Sequence, residues 1–108
     1  GGIWYNYDIG HGFYPSRNSY AVYGLLGKYT SFTAYITVGQ DSGSGLDATI
    51  QVYKDDEIID TFSGITKQTE VFQIGPYDIS QARKLTIKTS SDSFHNNDWI
   101  YIVNAFVE

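Results

Sequence analysis

The sequence predicts an all-β protein, built as an antiparallel β-sandwich. Three observations carry that reading. Short runs alternate apolar and polar residues, polar turn residues separate the runs every eight to twelve residues, and no stretch repeats apolar residues at helical spacing over ten or more positions. Seven to nine strands in a single domain, 1–108, are expected, and 108 residues suffice to bury roughly two-thirds of the unfolded surface. Spacing alone does not separate one sandwich topology from another.

Taken in order, Ile3 to Ile9 alternates Ile3, Tyr5, Tyr7 and Ile9 against Trp4, Asn6 and Asp8, which reads as a strand broken by Gly10-His11-Gly12. Phe13 to Asn18 reads as a loop, because Pro15 cannot donate to a ladder and Ser16-Arg17-Asn18 is turn chemistry. Ser19 to Leu25 is extended and ends at a turn on Gly27-Lys28. Ser31 to Gly39 is the clearest strand, with Phe32, Ala34, Ile36 and Val38 on one face and Thr33, Tyr35 and Thr37 on the other. Asp41 to Asp47 is a Ser-Gly loop with a carboxylate at each end, read as flexible. Asp47 to Lys54 and Glu57 to Phe62 form a hairpin over Asp55-Asp56, closed by Ser63-Gly64. Thr69 to Ile74 is a strand stopped by Gly75-Pro76, and Tyr77 to Gln81 is a short connection with room for one helical turn. Ala82 to Thr89 is a strand, Ser90 to Asp98 a second polar loop, and Trp99 to Val107 the closing strand.

Composition narrows the function. The net charge is −5 with no basic cluster, so nucleic acid and anionic membrane are poor partners, and no apolar run of about 18 residues exists to insert into a membrane. There is no cysteine, hence no disulfide and no thiolate nucleophile. The two histidines, His11 and His95, are read as loop residues with no Gly-x-Ser-x-Gly elbow or His-Glu-x-x-His pair to employ them, so a catalytic role is not expected. The ten tyrosines are the unusual feature, since a Tyr combines a flat apolar face with a polar tip suited to a wet binding surface.

Several strings resemble the NPCBM family of carbohydrate-binding modules. They are Leu25-Leu26-Gly27-Lys28-Tyr29, Phe32, Val38-Gly39-Gln40-Asp41 and, most specifically, His95-Asn96-Asn97-Asp98-Trp99; Gly10-His11-Gly12 approximates a further Gly-x-His element. The resemblance implies a jelly-roll sandwich of the galactose-binding-like kind. It leaves galactose-type recognition open for His95, Asp98 and Trp99, and more loosely for His11.

The residues point the same way independently. A sugar offers hydroxyls at its edges and a C–H patch on one face, so a protein holds it with a few polar groups around an aromatic ring. Asp92, His95, Asn96, Asn97, Asp98 and Trp99 supply that set, with His11 and Arg17 as further rim candidates. The competing reading has His95 and Asp98 bonding loop backbone and Trp99 plugging the end of the core. No cofactor is required; Asp41 and Asp47, with loop carbonyls, could hold a structural Ca²⁺. Trp4, Tyr5, Tyr7, Phe13, Tyr14, Tyr20 and Tyr23 form an aromatic cluster if the first strand pairs with the Ser19–Leu25 strand; Phe13 is read as cover for one end of the sandwich, and Trp4, Tyr5, Tyr14 and Tyr53 are left as sugar or protein contacts. The expectation is a non-catalytic glycan-binding module of a larger secreted or surface-attached bacterial or phage protein, with neighbouring domains of that parent as partners. The alternative is a structural or adhesive spacer.

Overall fold

The alternation that marks the strands also decides which side of each faces the interior. The computed structural model describes residues 3–5, 11–13, 20–39, 42, 45–91 and 99–108. The strands are β1 (Ile3–Tyr5), β2 (His11–Phe13), β3 (Tyr20–Gly24), β4 (Ser31–Val38), β5 (Ala48–Lys54), β6 (Glu57–Ile65), β7 (Phe72–Asp78), β8 (Lys84–Ser91) and β9 (Ile100–Val107). They form two sheets, one ordered β1-β9-β4-β7 with β2 also on β9, the other ordered β3-β8-β5-β6. Every pairing is antiparallel, and the chain changes sheet at every connection except β1 to β2 and the β5–β6 hairpin, giving an antiparallel jelly-roll sandwich. Among the described residues no helix is present that is long and apolar enough to cross a membrane.

The core lies between the two sheets. Phe32, Ala34 and Ile36 of β4 meet Ile50 and Val52 of β5, Leu85 and Ile87 of β8, and Ile100 and Ile102 of β9, all fully buried or nearly so. Each large side chain removed from water contributes about 1.5–3 kcal/mol. Phe32 packs its ring 5.1 Å from that of Tyr23 at a tilt of 60°. Where the edge strands β6 and β7 face each other, Phe62 and Phe72 pack at 5.4 Å and the Tyr77 hydroxyl donates to Asp60 Oδ2 at 2.8 Å. Burial first, then that bond to Asp60, pushes the Tyr77 phenol well above its ordinary range, so it stays a neutral donor.

Several boundaries differ from expectation, each for a local reason. The Leu25–Lys28 turn centres on Leu26-Gly27, both at positive φ, with Lys28 N donating to Leu25 O. Ser63-Gly64 does not end β6, which continues to Ile65 through a register shift against β5. Gly75-Pro76 does not stop β7 either. Phe32 pairs with Tyr77 and Ala34 with Ile74, so Gly75 and Pro76 together oppose Thr33 in a bulge. Pro76 is tolerated because β7 is an edge strand. Gly75 is required there: its φ is +81°, and a Cβ would stand 2.5 Å from Phe32 O. Tyr77 and Asp78 therefore belong to the strand, and Ile79 to Gln81 make a turn rather than a helical one.

The amino-terminal region is the largest correction. His11, Gly12 and Phe13 form a strand, not a break and a loop, and pair with Ile102, Tyr101 and Ile100. β1 pairs with the other end of β9, so it does not lie beside β3, which pairs with β8. The expected aromatic cluster is thus divided. Tyr20 is exposed on an outer face and Tyr23 is buried in the core; Tyr7 and Tyr14 lie outside the described residues.

Candidate functional site at one end of the sandwich

Strand register brings the flanks of the polar segments to one end of the molecule. Phe13 and Val38 both pair with Ile100, so β2 and β4 finish where β9 begins. Ala48 pairs with Ser91, so β5 begins where β8 ends, and Tyr20 opens β3 beside Lys88. The stretches 14–19, 40–47 and 92–98 each connect strands whose described ends meet there.

Trp99 is the predicted residue that this end displays. It precedes Ile100, which faces the core, so alternation sends Trp99 and Tyr101 to the opposite, outer face. The Trp99 ring is 38% exposed and stacks with Tyr101 at a centroid distance of 6.4 Å and an interplanar angle of 18°. It does not plug the core. The two near-parallel rings, Trp99 exposed and Tyr101 half-buried, form an aromatic plate on the outer side of β9.

The backbone beneath that plate is fixed from the β4 side. Gly39 N donates to Trp99 O at 2.8 Å, and Ser42 N donates to Gly39 O at 3.1 Å. The Ser42 hydroxyl, buried, accepts from Trp99 N at 3.2 Å and donates to Trp99 O at 3.4 Å. The polar loop expected to be flexible is therefore anchored at Ser42 and again at buried Leu46. Gly39 permits the close approach, since a Cβ there would stand 3.2 Å from both Trp99 Cβ and Tyr101 Cε2.

His11 lies on β2, whose backbone runs along β9 beside the Trp99–Tyr101 row. Arg17, Asp92, His95, Asn96, Asn97 and Asp98 lie outside the described residues, as does Asp41. Asp47 is exposed just ahead of β5, with its carbonyl accepting from Ser91 Oγ at 3.1 Å. Among the described residues no three His, Cys, Asp or Glu side chains gather as a metal group. Sequence reasoning missed Tyr101 and Ser42. Tyr101 carried a legible signal, lying two residues from Trp99 in an alternating strand; Ser42 carried none.

No protein-family model and no curated protein matches the sequence. Among solved structures, the chain is similar to the carbohydrate-binding module CBM51 from Clostridium perfringens GH95, solved in complex with methyl-galactose. The TM-score is 0.71 at 21% sequence identity, covering 90% of this chain and 68% of that one. At that identity the likeness is one of fold, and the narrower resemblance to the NPCBM family rests on the sequence motifs. What the comparison establishes is the fold, an all-β antiparallel sandwich.

Proposed function

We propose that this chain is a non-catalytic carbohydrate-binding module that takes a galactose-type glycan on the Trp99–Tyr101 plate. The observation that carries the reading is the near-parallel pair of rings, Trp99 exposed and Tyr101 half-buried, at the end where the polar segments are flanked. The C–H face of a pyranose packs on such a plate, while its edge hydroxyls bond to rim groups. His11, Arg17, Asp92, His95, Asn96, Asn97 and Asp98 are proposed for that rim, and Asp41 with Asp47 for a structural Ca²⁺ that would brace the loop. The fold shared with a module solved with methyl-galactose supports the choice of sugar. A shallow plate open to water gives weak monovalent affinity, which a parent protein at a bacterial or phage surface offsets by presenting several copies.

Titration with methyl-galactoside, alongside a glycan array with and without Ca²⁺, tests the reading. Native chain should bind, and Trp99→Ala should weaken binding by about 30-fold, the loss of about 2 kcal/mol typical of a central aromatic anchor. The chain should remain folded with a modest fall in Tm, because the ring lies outside the core but is partly covered by its neighbours. Absence of binding to any glycan, by a chain that is folded, overturns the proposal and leaves a spacer or docking role.

A further inference from the structure

The second outward-facing recess is on the other sheet. Tyr20 and Val22 of β3, Lys84, Thr86 and Lys88 of β8, Tyr53 of β5, and Asp55 and Asp56 at the β5–β6 turn line a space of about 330 Å³. That is at the lower end of the range of about 300–1,000 Å³ usual for ligand sites. Register makes β8 the floor. Tyr20 stands opposite Lys88, and Val22 and Tyr53 flank Thr86 from either side. With adjacent strands about 4.8 Å apart, the two walls are about 10 Å apart, enough for one pyranose.

The recess is polar at its ends and aromatic at its sides. Tyr53 is held along its strand by donating to Gln51 Oε1 at 3.2 Å. Tyr20, on the edge strand, is 67% exposed. At one end the charges are already engaged: Asp55 Oδ1 accepts from Arg83 N at 3.0 Å and Lys84 N at 3.2 Å, and Lys84 Nζ lies 3.8 Å from Asp56 Oδ1. At the other end Lys88 sits between Tyr20 and Gln51 in the ladder and makes no ion pair among the described residues. Among the described residues Lys88 is thus a cation with no acidic partner, beside two tyrosines, in a chain of net charge −5.

We infer a second glycan site here, separate from the Trp99 plate and selective for a sugar bearing a carboxylate. The ligand carboxylate pairs with Lys88 Nζ, the ring C–H face packs on tyrosine, and hydroxyls reach Thr86 Oγ1 and the Asp56 carboxylate. Nucleic acid is set aside by the net charge of −5 and the lack of a basic cluster in the sequence, since phosphate binding draws on several lysines or arginines together.

The test is calorimetry and amide chemical-shift mapping of the whole chain with tri-galacturonate, against neutral galactotriose as control. Tri-galacturonate should shift the amides of Val22, Thr86 and Lys88, and Lys88→Gln should weaken it about tenfold, as expected for loss of a hydrogen bond to a charged group. Tyr20→Ala, at an exposed position that can lose its ring without unfolding the chain, should weaken it similarly. Trp99→Ala should leave it unchanged. Equal affinity for the two trisaccharides in a Trp99→Ala chain, where the plate is removed, full affinity in Lys88→Gln, shifts confined to Trp99 and Tyr101, or occupation of this face by a second copy in sedimentation would each overturn the inference. Methyl-galactoside binding reports on the plate independently, so failure at one site is distinguishable from failure at the other.

Discussion

The two outer faces of this sandwich are made from the same strand alternation but present different chemistry. On the five-stranded sheet, the described outward positions of β4 and β9 carry Ser31, Thr33, Tyr35 and Thr37 beside Tyr101, Val103 and Phe106, without a charged side chain. At one end of this face Trp99 stacks with Tyr101. On the four-stranded sheet, Tyr20 and Tyr53 are separated by β8 and its two lysines. A continuous plate suits a neutral ring face; separated rings with a cation between them suit a charged ligand. The sheet supplies positions two residues apart, and the identity of the residue in each position decides what the face can hold.

The largest effect should come from the bulge that shapes one sheet only. Gly75→Ala forces a side chain into φ +81° with its Cβ against Phe32 O, and should cost about 3 kcal/mol in denaturant unfolding. Amide shifts should move along β4 and β7 while those of Val22 and Thr86, on the other sheet, hold. Movement in both sheets alike would mean that the two faces are not independently framed.

Tyr77→Phe should come next, at about 1.5 kcal/mol, through loss of the bond to the Asp60 carboxylate that joins the edges β6 and β7. The sign with pH follows from the direction of the shift. The phenol is held neutral in the folded chain above its ordinary value of 10.0, so its contribution is complete below that pH and is lost as pH rises through the higher folded value. Native chain should therefore lose stability above pH 10, and Tyr77→Phe should reduce that dependence in thermal melts without abolishing it, since burial raises the Tyr23 phenol as well. Because the bond lies at the sheet edges, ligand affinity at either face should stay constant at neutral pH.

Much of this arrangement is legible in the sequence, and the exceptions have physical causes. β4 could be read because Phe32, Ala34 and Ile36 alternate with polar residues, and the Asp55-Asp56 hairpin because its pairing is local. The opposite fates of Tyr20 and Tyr23 follow from their odd separation, a parity that grouping them by aromatic character concealed. Strand partners are another matter. That β1 and β2 share β9 depends on contacts about a hundred residues apart in sequence, which no local pattern encodes. Gly75-Pro76 was misread because its stop signal applies to a central strand, and β7 is an edge. At the candidate site, Trp99 was found from its motif, whereas Ser42 looks like any loop serine until its hydroxyl is seen bonded to the Trp99 backbone.

The smallest of these changes is the most selective between the two faces. Gly39→Ala places a methyl 3.2 Å from Trp99 Cβ and from Tyr101 Cε2, closer than ordinary contact and without backbone strain. The rings must yield by a few tenths of an ångström, and overpacking of this kind costs about 1 kcal/mol. Trp99 N and O remain held by Ser42 and Gly39, so the strand entry cannot move far and the adjustment falls on the ring stack itself. Trp99 fluorescence should change and methyl-galactoside affinity should fall about fivefold, the equivalent of about 1 kcal/mol, while tri-galacturonate binding is unaltered. If the Gly39→Ala chain binds methyl-galactoside normally with a displaced stack, the sugar does not rest on the plate. Loss of both ligands together would instead show that the two faces report a single global change, and the contrast between them would fail.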